Sequence, residues 1–402
     1  MKTAIRQETR LMKKTLKITL ISVVSLIVIA IAAILIAGGA FLKPAYLEPW
    51  NKSYARKFSD PRLQLAAHGL LAANGHNMQP WIIKLDADQN VFYLYADSTR
   101  LTPEVDPFAR QQMITQGTFL EYVRVAGLKF GYKTDIELFP AGEYDEHNLI
   151  DSMNNRPVAK ITIAKTEPQD NALYDFIFTP DTNRAAYRKT EPTVKQIADL
   201  QAANTFKNIS LQFYQDKNNL DKLSAYAMAG AKIESGVHRI SAESANVFRA
   251  NEYQKNKYRY GFSVEGQGTT GIMKPVLQGL VTLMPSLNGE KSSAALFVRS
   301  TQAEVDNTPV YAMIVTADNS RILQVESGML YSRLVLTAHA QGFVQQPLSQ
   351  VLEEYPEMAE QYNQVHADYA PGNGTIQMFY RMGQPTKPFP LSMRRDVTDL
   401  IK

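Results

Sequence analysis

The residues best placed to do chemistry lie in one short stretch, Ala72-Ala73-Asn74-Gly75-His76-Asn77-Met78-Gln79-Pro80-Trp81. It leaves a predicted helix, makes a polar turn and enters an apolar strand. The side-chain amides of Asn74, Asn77 and Gln79 carry both donors and acceptors. At the mouth of a cleft they would suit a planar ligand whose edge alternates carbonyls and N–H groups. The same residues would also serve a plain helix-to-strand turn, with Trp81 as core filler. Other chemistries have less support. Gly266-Gln267-Gly268-Thr269-Thr270-Gly271 has the spacing of a dinucleotide loop. Such a loop needs a strand before it and a helix opening at it, whereas Pro275 follows almost at once, so a flexible loop is the better reading. Gly261-Phe262-Ser263-Val264-Glu265-Gly266 misses the G-x-S-x-G nucleophile elbow by one residue. The histidines, His68, His76, His147, His238, His339 and His366, form no HxxxH or HExxH pair, so no metal is expected. There is no cysteine, which excludes disulfides, thiolate metal ligands and cysteine nucleophiles.

The elements that must position this stretch repeat along the chain. Gly117 to Gly131-Tyr132 and Gly328 to Gly342-Phe343 both run from Gly to Gly and end in an aromatic residue. At an offset of 211, Phe119 meets Leu330, Val123 meets Leu334 and Val125 meets Leu336, while Arg110 meets Arg321 upstream. Apolar residues at i, i+3, i+4 and i+7 make each segment a buried helix with Gly just past its end. A shorter echo sets Leu71-Ala72-Ala73-Asn74 beside Gln201-Ala202-Ala203-Asn204. The two echoes predict an internal duplication, lobe one near 55–165 and lobe two near 175–395. Trp81–Leu85, Val91–Ala96, Ile209–Tyr214 and Val310–Ala317 read as strands, so the fold class is α+β. Residues 240–295, with Ser, Gly, Asn and Lys throughout, read as an insertion or lid with a long helix and a Gly-rich loop.

Ahead of these lobes, Ile18 to Leu42 is an uncharged run of 25 residues, only Thr19, Ser22 and Ser25 being weakly polar. A bilayer core needs about 20 such residues in a helix, whose backbone polar groups satisfy one another. A cleaved signal peptide, the alternative, usually has an apolar region of only about 7–15 residues. The expected order is a basic tail at 1–17, one transmembrane helix at 18–42 and a globular body at 43–402. Lys2, Arg6, Arg10, Lys13, Lys14 and Lys17 against Glu8 give the tail +5. The whole chain carries +4, so the body carries −1. Positive flanks stay cytoplasmic, which predicts a single-pass cell-membrane protein with its N-terminus inside and its body outside. The basic pI comes from the tail, so nucleic acid is not an expected partner. Trp50 is either an interfacial anchor or a packing residue.

The 72–81 stretch resembles the Ala-Pro-Ser-Gly-His-Asn-x-Gln-Pro-Trp signature of nitroreductase-like FMN-binding flavoproteins. The resemblance is strongest to their two-lobed, internally duplicated branch, typified by the mycobacterial dormancy protein Acg. Asp106-Pro107-Phe108-Ala109-Arg110, with the helix at Gly117 and Gly131-Tyr132, is similar to the family's next block. Thr182-Asn183-Arg184-Ala185-Ala186-Tyr187 resembles the Ser/Thr-x-Arg motif that opens the second lobe. Arg381-Met382-Gly383 and Ser392-Met393-Arg394-Arg395-Asp396-Val397 resemble the closing strand and basic tail.

The resemblance implies a nitroreductase-like fold in which the two lobes form an intramolecular pseudo-dimer around FMN. It implies that Thr182, Arg184, Arg394 and Arg395 hold the phosphate, since the planar fork of Arg makes paired charge-assisted hydrogen bonds. Asn74, Asn77 and Gln79 would reach the flavin ring, and Gln345 and Gln346 would face its reactive nitrogen edge. The second lobe's echo, Ala203-Asn204-Thr205-Phe206-Lys207, lacks Gln-Pro-Trp, so one FMN is expected. The implied activity is a nitroreductase-type oxidoreduction passing electrons to a small-molecule acceptor. Two alternatives stay open: a protein that sequesters FMN without turnover, and a flavin-free scaffold, which Ala73-Asn74 in place of Pro-Ser keeps in play. A body outside the membrane would also be cut off from the cytoplasmic NAD(P)H pool.

Overall fold

A computed structural model describes the backbone of residues 1–402 and the side chains of all but residues 2–4. Lys2, one cation of the basic tail, is therefore outside the described side chains. Helix α1 covers Lys2–Gly38 and ends at Gly39, whose left-handed backbone (φ 75°) caps the last turn. The uncharged run continues to Leu42, so its last residues leave the helix as a turn. Among the described residues, one helix is long and apolar enough to cross a membrane, over Ile5–Gly38. Trp50 is buried rather than interfacial: its indole N–H donates to the Ser392 carbonyl at 2.8 Å.

Two antiparallel sheets of matching order follow. The first lobe holds α2 (Pro61–Gly69), β1 (Trp81–Leu85), β2 (Val91–Ala96), α3 (Arg110–Phe130), β3 (Tyr132–Leu138), α4 (Leu149–Asn155) and β4 (Ala159–Lys165). The second holds α5 (Val194–Ala202) and β5 (Ile209–Tyr214), then an insertion of α6 (Lys217–Gly236), α7 (His238–Asn246), α8 (Glu252–Tyr258), α9 (Met273–Leu283) and α10 (Glu290–Val305). It closes with β6 (Val310–Thr316), α11 (Arg321–Ala340), β7 (Val344–Pro347), α12 (Ala359–Tyr369) and β8 (Thr375–Gly383). Strand orders are β1-β2-β4-β3 and β5-β6-β8-β7. The mixed α+β class expected from the sequence is the class observed. The insertion is wider than 240–295. The connection between the first two strands of each sheet takes residues 86–90 in the first and residues 215–309 in the second.

The central helices α3 and α11 pack back to back. A Cβ built on Gly117 would lie 1.8 Å from the Val325 carbonyl oxygen, and one on Gly328 would lie 1.8 Å from that of Ile114. Positions 114 and 325 differ by the same 211 as 117 and 328. The contact is thus isologous, each helix presenting the same surface to the other, as across a two-fold axis. The first residues of these helices repeat the pattern. Arg110 donates across the interface to the Leu352 and Gln377 carbonyls, both at 2.8 Å. Arg321 donates back to the Phe108 carbonyl at 2.8 Å and to Glu146 at 2.6 Å. Glu121, fully buried on α3, is neutralised by Arg124 and by Arg333 of α11.

The lobes differ in how their sheets are covered. β3 alternates half-buried and exposed residues, so one face of the first sheet meets solvent. Every residue of β6 and β8 is buried. Val310, Ala312 and Ile314 face α11, while Tyr311, Met313 and Val315 face α6 and α12. After β8 the chain crosses back to the first lobe. The Arg394 amide donates to the Tyr46 carbonyl and that of Lys402 to Ile83, both at 3.0 Å.

Candidate functional site between the lobes

The 70–80 turn joins α2 to β1. Three of its non-glycine residues take left-handed backbone angles: His76 (φ 49°), Asn77 (φ 51°) and Gln79 (φ 50°). Each costs roughly 1 kcal/mol or more, so the turn must be held from outside. Its own amides do most of this. Asn74 accepts from the Gln79 amide at 2.8 Å and donates to the Ala72 carbonyl at 3.1 Å. Asn77 donates to the Gly261 and Met393 carbonyls at 2.9 and 3.0 Å. Gln79 donates to the Arg259 carbonyl at 2.9 Å and accepts from the Arg395 amide at 2.8 Å.

The three amides staple the turn, so they are not presented to a ligand as free groups. What the turn offers inward is its backbone and His76. Burial, aided by the Arg184 charge, holds the His76 imidazole down at about 4, so it is neutral at pH 7.

The turn walls a cavity of about 710 Å³, within the range of small-molecule sites. Both lobes and the insertion contribute to it. Of the residues singled out in the sequence, Asn74, Asn77, Thr182, Arg184, Gln346 and Arg394 line this cavity. Gln79, Gln345 and Arg395 do not. Side chains alternate along a strand, so on β7 only one of Gln345 and Gln346 can face inward. Gln345 turns to α11, donating to the Leu334 carbonyl at 3.2 Å. Gln346 accepts from Arg381 at 2.8 Å. Arg394 and Arg395 part in the same way: Arg395 is buried behind the turn, on the Gln79 and Asp399 carbonyls. Neither is a solvated tail residue, at 1% and 8% exposure.

The two lining arginines differ in kind. Arg394 donates to the Leu71 and Ala72 carbonyls, Asn77 Oδ1, Ser392 Oγ and the Met393 carbonyl, and lies 4.7 Å over the Trp50 ring. Among the described residues, only its Nε lacks a partner. Arg184 is exposed and makes one long bond, 3.4 Å, to the Gly266 carbonyl. The Tyr331 hydroxyl is buried in the same wall without a partner among the described residues. Unpaired buried donors are costly unless a ligand satisfies them. With the exposed Arg184 guanidinium, held by one long bond, they fit a ligand with an acceptor-rich ring and an anionic group, as FMN has. Among the described residues, no group of three His, Asp or Glu side chains gathers as a metal site.

The wall also holds two carboxylates that sequence reasoning missed, Glu234 of α6 and Glu353 ahead of α12. Each has one buried oxygen without a partner among the described residues. Desolvation pushes Glu234 up to about 7, and desolvation plus the Glu234 charge pushes Glu353 well above the carboxylate range. Groups 119 positions apart carry no sequence signal of pairing. A raised acid keeps its proton in the folded chain between its ordinary 4.5 and about 7, where the unfolded chain releases it. Its stabilising effect is full below 4.5 and is lost as pH rises through about 7. Glu234→Gln should therefore match the native chain in urea denaturation at pH 5 and exceed it by about 2 kcal/mol at pH 8. A difference that does not change with pH would refute the burial argument.

No family model and no curated protein matches the chain. Solved structures of similar shape include oxidized iodotyrosine deiodinase bound to FMN and 3-iodo-L-tyrosine. It is 14% identical with TM-score 0.32, and the match covers 56% of this chain and 95% of that one. The FMN-dependent nitroreductase NfnB from Mycobacterium smegmatis, in complex with NADPH, is 14% identical with TM-score 0.29, covering 51% and 84%. A nitroreductase-type protein from Anabaena variabilis is 11% identical with TM-score 0.31, covering 78% and 82%. At such scores these likenesses assign no residue a role, and the site stands on its own geometry.

Proposed function

We propose that the chain is a nitroreductase-like flavoprotein that holds one FMN between two duplicated lobes and is anchored in a membrane by α1. What carries this reading is the interlobe cavity, where the turn with its strained His76 and Asn77, the exposed and weakly held guanidinium of Arg184 and the buried Tyr331 hydroxyl and Arg394 Nε, unpaired among the described residues, converge. Arg184, with Thr182 beside it, would take the phosphate. The turn backbone, Tyr331 and Arg394 Nε would meet the ring. Bound flavin would supply hydride or electron transfer, and the protein orientation and electrostatics. Glu234 and Glu353, protonated by burial, could hold a proton at the cavity wall.

The second lobe's equivalent turn supports a single site. It is shorter, residues 203–208, and Arg333 fills it, donating to the Ala203 carbonyl and Thr205 Oγ1 at 2.9 Å. For the anchor, the apolar length of α1 and the basic residues of its first half, ahead of the uncharged 18–42 run, favour a cytoplasmic N-terminus with the body outside. A second reading, FMN storage without turnover, is favoured by the insertion that roofs the cavity from Glu234 to Glu304.

Purified full-length protein should show flavin absorption, as isolated or after adding FMN; a colourless protein that ignores FMN would overturn the proposal. Anaerobic NADPH or NADH separates the two readings, since an enzyme bleaches within minutes and a store keeps its colour for hours. Arg184→Ala should weaken FMN retention about tenfold or more, the scale of one lost charge-assisted bond, with little change in melting temperature.

A further inference from the structure

The insertion contains a helix whose polarity is the reverse of that of a soluble surface helix. Lys274, Gln278 and Thr282 fall one turn apart and form the polar stripe of α9. All three face the protein. Lys274 lies 3.0 Å from Glu252 and 3.1 Å from Glu265, Gln278 donates to Glu252 at 2.8 Å, and Thr282 accepts from Asn251 at 3.1 Å. Val276, Leu277, Leu280 and Val281 in the middle of α9 are only partly buried, and the apolar residues at and just beyond its two ends are exposed. Ile272 is 80% exposed, and Met273, Leu283, Met284 and Leu287 are each about half exposed. No charged residue occurs between Lys274 and Glu290. A surface helix normally turns its apolar stripe inward, and a contiguous apolar patch of this kind marks a protein or membrane contact.

The position of α9 says which contact it is. The helix runs against the end of α1. A Cβ on Gly279 would lie 2.0 Å from the Ile34 carbonyl oxygen, and one on Gly38 would lie 2.5 Å from that of Pro275. These glycines let the two backbones touch, as small residues do where helices meet in lipid. Ile34 and Gly38 belong to the uncharged 18–42 run, one helical turn apart and about 6 Å along its axis. Where α1 emerges from the hydrocarbon, α9 therefore lies beside its last turns, at the depth of about 5–10 Å typical of interfacial helices. The exposed Ile36 of α1, with Phe41 and Leu42 in the turn just past its end, continues the apolar surface. Tyr253, half exposed, reaches the Ile36 carbonyl at 3.4 Å, at the level where tyrosines line a membrane boundary.

We infer that α9 and the turn after it, residues 272–287, are seated in the outer leaflet of the bilayer, so that the roof of the cavity is attached to the membrane at a second point besides α1. This rests on the reading of α1 as a membrane span. The absence of native cysteine makes the test direct. Full-length protein is reconstituted in phosphatidylcholine–phosphatidylglycerol vesicles with one spin label, at Leu283→Cys, Leu287→Cys, Val28→Cys or Val194→Cys. Val28 is mid-span on α1 and Val194, 88% exposed, is the aqueous reference. Collision rates are then measured with oxygen, which favours lipid, and with a water-soluble nickel chelate. The expected result is an oxygen-to-nickel ratio at Leu283 and Leu287 several-fold above that at Val194, in the direction of Val28. Lipid values at Val28 with aqueous values at Leu283 and Leu287 would overturn this inference alone. Aqueous values at Val28 as well would overturn the anchor and the inference together. Protection from both reagents, with dipolar broadening between labels, would assign the face to a second copy of the chain and also overturn it.

Discussion

Gly328→Val should cost about 3 kcal/mol or more and open the interface between the lobes, because the space a Cβ needs is filled by backbone. The three nearest atoms are the Ile114 carbonyl oxygen at 1.8 Å, its carbon at 2.8 Å and the Gly117 Cα at 3.0 Å. None can turn away by changing rotamer. Relief requires α3 and α11 to move apart, and everything that spans them must follow. That includes the reciprocal reach of Arg110 and Arg321 and the pairing of buried Glu121 with Arg333. Overpacking a core ordinarily costs about 1–3 kcal/mol. Here a rigid helix pair has to separate, which puts the effect at the upper end or beyond. Gly328→Ala should act in the same direction, though Ala is the better helix former by about 1 kcal/mol. Gly236→Ala, at the end of α6 with nothing within 4 Å of its Cβ, is the control and should be neutral or slightly stabilising. Urea denaturation of the three variants decides the matter. If Gly328→Ala were as stable as Gly236→Ala, the helices would not be in backbone contact.

This contact also marks how far the sequence could be read. The 211 offset was visible because a helix crossing at backbone distance demands Gly on both partners, and because apolar spacing survives where packing requires it. The strand runs at Trp81, Val91, Ile209 and Val310 were visible for a similar reason: they are apolar and β-branched or aromatic. Tyr132–Leu138 was missed since its charges alternate on a solvated face, and Ala159–Lys165 ends in the same way. Composition averaged over 240–295 described the polar parts of the insertion but concealed the apolar stretch 275–289 within it. The site was legible as a place more than as a set of contacts. The 72–81 turn, Arg184 and Arg394 do border one cavity. The direction of each side chain was not legible, because it depends on strand phase at Gln345 and Gln346 and on which carbonyls the fold leaves unpaired. Asn74, Asn77 and Gln79 all bond within or around the turn that carries three left-handed residues, a use that residue type alone does not announce.

Arg394 shows the consequence of that exchange most sharply, and Arg394→Ala should be the most damaging substitution in the site. Its guanidinium satisfies the Leu71, Ala72 and Met393 carbonyls as well as Asn77 Oδ1 and Ser392 Oγ, at 2.5 to 3.2 Å. Truncation strands several acceptors in a region where Arg394 is 1% exposed. Each stranded group costs about 1–3 kcal/mol. Water entering the space left by the side chain recovers part of this, so the net loss should be about 3–5 kcal/mol, the range for removing one partner of a buried polar network. The turn would also lose the tie that holds Asn77 at positive φ, so FMN retention should fall together with stability. Arg394→Lys keeps the charge that faces Asp181 but offers three donors from one point, and cannot span acceptors on both sides of a planar fork. It should recover only a minor share of the loss. Arg184→Ala provides the contrast: exposed and bound by one long contact, it should lower flavin retention while leaving the melting temperature near native. Thermal melts of the three variants, each with and without added FMN, separate the roles. Native-like stability of Arg394→Ala, or full rescue by lysine, would mean that the guanidinium does not hold the turn.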